Sequence, residues 1–295
     1  MQLVIPFPDL SPVLVEIPLG FTSLPIRWYA LAYIVGIIIG YRFFRLAIDR
    51  AHLWRDDTPP MDRARLEDLL FWMILGVILG GRVGYVLFYG DGQFLSDPLS
   101  IVRVWEGGMS FHGGMLGVVL AGAIFARRHG VPLGKLADGL ALATPPGLLL
   151  GRIANFINAE LWGRPTEAPW GVIFPGAAAQ DCPAVVGLCA RHPSQLYEAG
   201  LEGLLLGAVL LYLAFRGGWL GRPWSLTGLF IAGYGASRFF VEFFRQADAQ
   251  FITPDNPLGH VVSLGPVGMS MGQLLSLPMI LIGLALLLWS RKSAR

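Results

Sequence analysis

The chain has 295 residues, of which 54% are hydrophobic and only 14% charged, where a soluble domain carries roughly 25% charged residues. With a mean hydropathy of +0.58 and a net charge of +2, it reads as an integral membrane protein, and the balance excludes a nucleic-acid-binding polyelectrolyte. The opening twenty residues hold four prolines and no basic n-region, so they read as an irregular segment at a membrane surface rather than a cleavable signal peptide.

Seven apolar runs follow, each near the length that crosses about 30 Å of hydrocarbon. They cover 26–46, 67–89, 110–127, 137–157, 196–215, 225–245 and 271–290. The expected fold is an all-α polytopic membrane protein with seven transmembrane helices in one integral domain, 1–295. The second run holds Gly76, Gly80 and Gly84 at four-residue spacing, which lets helix backbones approach closely. The fourth holds Pro145, Pro146 and Gly147 and is expected to kink. No repeat of the transporter kind is visible.

Basic residues set the orientation. Of 22 Lys and Arg, 14 fall on the side reached after odd-numbered spans, including Arg50, Arg55, Arg127, Lys135, Arg222 and the tail Arg291, Lys292 and Arg295. Five fall on the other side. The bias places the C-terminus in the cytoplasm and the N-terminus outside. The segment 158–195 then forms a small external (periplasmic) cap, with Trp162, Trp170 and Phe174 to bury. Cys182 and Cys189 stand at C-x6-C spacing, which a disulfide can close in an oxidising compartment. Neither has companions at metal-ligand spacing, so no metal is expected.

Polar residues inside the spans carry the functional signal, since an Arg near the bilayer centre costs roughly 2.5–3.5 kcal/mol. Counting rise along the helices puts Arg152 about 22 Å and Arg238 about 20 Å above the cytoplasmic ends of their spans. Arg82 lies at a similar height. Tyr29, His112, Glu198 and Glu202 open their spans from outside, so groups from several helices meet at one level. Arg238, Glu242 and Arg245 share one helix face at i, i+4 and i+7, and Arg152 and Asn155 stand at i and i+3. Within the membrane proper, three cations (Arg82, Arg152, Arg238) face two anions (Glu202, Glu242). An unpaired buried charge is costly. The expectation is that an anionic ligand supplies the missing charge, and Arg is the side chain suited to grip a phosphate.

At these residues the sequence resembles the bacterial prolipoprotein diacylglyceryl transferase family. The matching segments are RWYALAY at 27–33, GGRVGYVLFY at 80–89, WEGGMSFHGG at 105–114, GRIANFINAELWGRP at 151–165, RHPSQLYEAGLEG at 191–203 and GYGASRFFVEFFRQAD at 233–248. The resemblance implies a bacterial inner-membrane enzyme with seven spans and an external N-terminus. It implies transfer of diacylglycerol from phosphatidylglycerol to the lipobox cysteine of a prolipoprotein signal peptide, with glycerol phosphate released and no cofactor. It places functional residues at Tyr29, His112, Arg152, Asn155, Glu160, Gly163, Arg238, Glu242 and Arg245.

That chemistry needs a thiolate, and free Cys has a pKa of about 8.5. Either His112 takes the proton, as an imidazole poised near neutrality, or the arginine field favours the thiolate unaided. Arg238 is assigned the phosphate, Arg152 a second clamp or an organising role. Glu202 and Glu242 orient the arginines, while Asn155 and Tyr29 hydrogen-bond the headgroup. An anionic-lipid transporter or flippase would use the same cluster for binding alone, and release of glycerol phosphate separates the two. No G-x-S-x-G elbow or H-E-x-x-H motif supports an intramembrane hydrolase.

Overall fold

The first amides of a helix lack intrahelical acceptors, and two helices in this chain open on a side chain that receives one of them. The computed structural model describes residues 4–18, 20, 23–90, 94, 97–182, 185, 187–264 and 267–292; Arg295 of the basic tail lies outside them. Helix α1 (Trp28–Ile48) begins where an antiparallel hairpin, Val13–Pro18 against Ser23–Arg27, runs out. Helix α2 (Arg63–Tyr89) is capped by Asp62, whose carboxylate accepts from the Arg65 amide at 2.9 Å. Helix α3 (Phe111–His129) starts on Ser110, whose hydroxyl accepts from the Gly113 amide, and stops at the left-handed Gly130. The expected kink in the fourth span is a full break: α4 (Leu133–Ala143) and α5 (Pro145–Ile157) meet at Thr144, because two successive prolines donate no amide. Next come α6 (Ser194–Glu198) and α7 (Leu206–Phe215), joined through a π-helical stretch, Ala199–Leu205. Helices α8 (Ser225–Val241) and α9 (Met271–Lys292) complete the set.

Five of these segments are long and apolar enough to cross a membrane: Trp28–Ile48, Arg63–Tyr89, Leu133–Ile157, Ser194–Phe215 and Met271–Lys292. The third and sixth expected spans coincide with α3 and α8, which fall short of that measure. Helix α8 has 17 residues, and α3 ends in Arg127, Arg128 and His129. Ile34, Ile38, Leu79, Leu87, Leu204 and Leu281 all face outward, an arrangement that water penalises and lipid does not. Helices α2 and α3 pack without intervening side chains, since a Cβ on Gly80 would fall 2.4 Å from the Gly113 carbonyl oxygen.

The main apolar core lies at one end of the bundle, around Phe44, Trp54, Leu69, Phe125, Leu136 and Leu210. Two polar ties close that end. The Lys135 ammonium donates to the Arg55 and Thr58 carbonyls at 3.0 and 2.6 Å. Asp138, fully buried on α4, accepts from both the amide and the hydroxyl of Thr227 at 2.8 and 2.7 Å. Helix α8 has no side-chain cap of its own, so Asp138 caps it from a neighbouring helix. At the other end the segment after α5 folds on a small core of Val172, Phe174 and Ala179, packed by Phe7, Phe156 and Trp162. Cys182 and Cys189 are joined by a disulfide. Trp170, expected to be buried with them, is 53% exposed, because its indole turns outward to donate to the Tyr197 hydroxyl at 2.8 Å.

Losing a helix cap typically costs about 1 kcal/mol. Asp138→Ala is therefore expected to lower the midpoint of thermal unfolding in detergent. Asp138→Asn, which keeps an acceptor for Thr227, is expected to lose less. Equal losses in the two variants would show that the carboxylate charge, not the cap, stabilises α8.

Candidate active site

Glu198, at the end of α6, is 1% exposed and gathers three arginines. Its Oε1 accepts from Arg238 Nη1 and, at 3.4 Å, from Arg245 Nη1. Its Oε2 lies 2.9 Å from Arg152 Nε. Arg238 Nη2 also pairs with Glu242 Oε1, and Arg245 Nε stands 3.6 Å from the same oxygen. Glu242 is held in turn by the Ser270 hydroxyl, which donates to Oε2 at 2.6 Å. Arg238 thus has both terminal nitrogens committed to carboxylates. Arg152 does not: among the described residues only its Nε meets one, so the Nη1/Nη2 fork stays available to a ligand. The three arginine side chains are 16–19% exposed, near-buried yet reachable.

A second polar group adjoins Arg152. Asn155 and Asn158 donate to Glu160 Oε1 at 2.7 and 3.3 Å, and the Gln195 amide donates to the Glu160 carbonyl at 2.5 Å. Ala159 and Leu161 flank Glu160 at φ of 52° and 57°, sparsely populated for residues with a Cβ and characteristic of functional turns. Tyr29 and Tyr33 share a hydroxyl hydrogen bond at 3.1 Å. Arg152 and Glu160 both act electrostatically on Tyr33.

The chain then runs back along Arg245. Gly163 and Arg245 form an antiparallel bridge. The Arg164 amide donates to the Phe244 carbonyl, and the Arg164 Nε to the Arg245 carbonyl, both at 2.8 Å. A Cβ at Gly163 would lie 2.4 Å from the Phe244 oxygen and 2.7 Å from the His192 oxygen. Gly163 therefore serves close backbone approach, holding Arg245 from behind. Arg191 braces the same strip, donating to the Ala179, Asp181 and Gly163 carbonyls and to Gln246. Burial lowers the His192 imidazole below its ordinary value, so this neighbour of Gly163 adds no charge at neutral pH.

Three expectations change. Arg82 does not join the cluster. Its guanidinium donates to the carbonyls of Ile101, Gly107, Gly108 and Ser100, so carbonyl dipoles of the 100–108 loop receive its donors. With Arg82 gone and Glu198 added, the deficit of one anion disappears: three arginines meet Glu198 and Glu242, with Glu202 fully buried beside them. Finally, Glu242 and Arg245 lie in the turn beyond the helix, although the expected neighbour pairs, Arg238 with Glu242 and Glu242 with Arg245, do form. Helix α8 ends at Val241, because the Gly163–Arg164 strip pairs with Phe244 and Arg245. His112 sits exposed in the first turn of α3 and, among the described residues, makes a ring contact with Phe111 and no hydrogen bond. Gln195, Ser270 and Tyr33 were outside the expected site, and Glu198, expected at the shared level with Glu202 four residues on, had no role assigned to it.

The profile of the prolipoprotein diacylglyceryl transferase family matches residues 12–289. The chain belongs to this family. A Ruegeria pomeroyi protein named phosphatidylglycerol–prolipoprotein diacylglyceryl transferase is 62% identical over 291 residues, covering 99% of each chain. Proteins of the same name from Roseobacter denitrificans and Sinorhizobium medicae are 60% and 47% identical. They cover 100% and 99% of this chain, and 100% and 96% of their own. In this prolipoprotein diacylglyceryl transferase family member, the arginine cluster is built on α5, α6 and the end of α8 and is backed by the 163–165 strip.

Misplacing a catalytic group by about 1 Å can cost ~10²-fold in rate. Gly163→Ala, which must push the Phe244 and His192 carbonyls away, is expected to approach that loss while the protein still inserts. Rates per folded enzyme, compared with wild type, check it; an unchanged rate would detach the strip from Arg245.

Proposed function

We propose that the protein transfers the diacylglyceryl group of phosphatidylglycerol to the lipobox cysteine thiol of a prolipoprotein, the first step of lipoprotein maturation. Its relatives carry that activity in their name. The observation that carries the reading on this chain is the Arg152 fork, which among the described residues meets no carboxylate, beside Arg238, whose two terminal nitrogens are both paired. Planar bidentate donors suit a phosphodiester.

In this reading the cysteine sulfur, as thiolate, attacks the glyceryl carbon next to the phosphate. The carbon–oxygen bond breaks, its electron pair stays on the phosphate oxygen, and glycerol phosphate leaves. Arg152 holds the phosphate and stabilises the added charge. Arg238 and Arg245, restrained by Glu198 and Glu242, line the site beside it, and Glu202 lies behind them. Asn155 holds Glu160, whose second oxygen and the Tyr29 hydroxyl are available to the headgroup hydroxyls. His112, exposed with no hydrogen bond among the described residues, takes the thiol proton.

The reading sets one integral domain of seven spans in the bacterial inner membrane, α3 and α8 included. The N-terminus and the 158–195 cap lie on the periplasmic side. The disulfide between Cys182 and Cys189 fits an oxidising compartment, which supports that orientation. Both substrates are membrane-borne, and the cluster lies at the cap end of the helices.

Transfer of labelled diacylglycerol to a lipobox peptide tests the assignment. Arg152→Ala is expected to lose at least about 10²-fold, and Arg152→Lys to recover little, because Lys is a point charge rather than a fork. A wild-type rate in an inserted Arg152→Ala protein removes the phosphate role. His112→Gln is expected to lose about 10²-fold or more and to flatten the rate profile between about pH 6 and 8. A near-normal profile would assign thiolate formation to the arginine field.

A further inference from the structure

The geometry points to Glu198 as a positioning residue for Arg152: the carboxylate that ties the arginine of α5 to the arginine pair at the end of α8. The inference rests on the reading that Arg152 meets the phosphate.

Arg238 and Arg245 each have two carboxylates in reach, Glu198 and Glu242. Arg152 has one among the described residues, Glu198. The contact is Coulombic, with the Nε–H turned off the line to Oε2, so the charge of Glu198 holds Arg152 more than a directed hydrogen bond does. Three guanidiniums brought together repel one another, and in an apolar surrounding that repulsion is poorly screened. Among the described residues, Glu198 is the one carboxylate that forms an ion pair with all three. Without its charge, Arg238 and Arg245 still share Glu242, whereas Arg152 keeps no carboxylate in contact among the described residues and faces two like charges.

Glu202 is fully buried and within electrostatic range of all three arginines, but among the described residues it forms an ion pair with none of them. The backbone is set against adjustment as well. Just past Glu198 the rod widens into its π-helical stretch, and there Gly203 lies directly on the backbone of Leu149, three residues before Arg152 on α5. Since Glu198 is 1% exposed, it touches no substrate and acts through Arg152. Its effect should fall on the lipid and not on the peptide.

The test uses the full-length protein in mixed micelles of phosphatidylglycerol with a lipobox peptide. Glu198→Gln keeps the shape and removes the charge. It is expected to raise KM for phosphatidylglycerol roughly tenfold or more, while KM for the peptide stays within about twofold. In an Arg152→Lys background the same change is expected to add less than about twofold, because both substitutions break one interaction. Glu198→Asp keeps the charge on a shorter stem and is expected to fold and to show a smaller rise in lipid KM. An unchanged lipid KM in folded Glu198→Gln overturns the proposal. So do losses that multiply with Arg152→Lys, or equal rises in both KM values. If Glu198→Gln does not fold, a wild-type lipid KM in Glu198→Asp overturns it. Wild-type enzyme that transfers nothing in the same assay would instead sink the proposed function.

Discussion

Charged groups held in an apolar surrounding must find one another, and the cap end of this bundle is shaped by that requirement. Arg152, Arg238 and Arg245 come from two different stretches of chain and converge on Glu198 and Glu242. An ion removed from water carries a penalty of several kcal/mol, and only close partners with good geometry offset it. The network therefore constrains backbone as well as side chains. Helix α8 has to end at Val241, the 163–165 strip has to run against Phe244 and Arg245, and the rod from α6 to α7 has to lie hard against α5. Architecture and electrostatics meet in the same few contacts: among the described residues, Glu198 and Glu242 engage Arg238 and Arg245, and the terminal nitrogens of Arg152 meet no carboxylate.

The arginines divide into kinds by what receives their protons. Arg82 and Arg191 give theirs mainly to main-chain carbonyls and so act as internal braces for loops. Arg238 gives its terminal donors to carboxylates. Among the described residues, Arg152 gives neither terminal nitrogen to a carboxylate. An arginine with every donor spent on carbonyls is neutralised by dipoles and cannot grip an anion without losing them. Function follows from the accounting of hydrogen-bond donors, which the residue letter alone does not carry.

That distinction explains which parts of the molecule were legible in the sequence. Helical runs were, because apolar length is a composition property; so was the break at Pro145–Pro146, a covalent one. The shared height of Arg152 and Arg238 followed from rise per residue alone. Arg82 stood at the same height and misled, because its carbonyl partners belong to a loop that no periodicity locates. Arg245 was assigned to the helix face because VEFFRQ holds no glycine or proline to announce the end of α8; a tertiary bridge to Gly163 ends it instead. Glu198 looked like a polar residue at a span boundary. Its weight comes from two partners 40 and 47 positions away and a third on a separate helix. Asp138 gave no signal, since a cap supplied by another helix leaves no local pattern.

The apolar core and the reactive groups occupy opposite ends of the same helices. Phe44, Leu69, Phe125 and Leu210 anchor one end, whereas polar contacts and short bridges tie the other. Regions with few buried apolar contacts open at lower free energy than the regions they are attached to. Amide exchange should accordingly proceed in two tiers along single helices, slow beside Phe125 and faster toward Ser110 and Glu198. Each of these helices is thus expected to be stiff where the apolar core fastens it and more yielding at the arginine end.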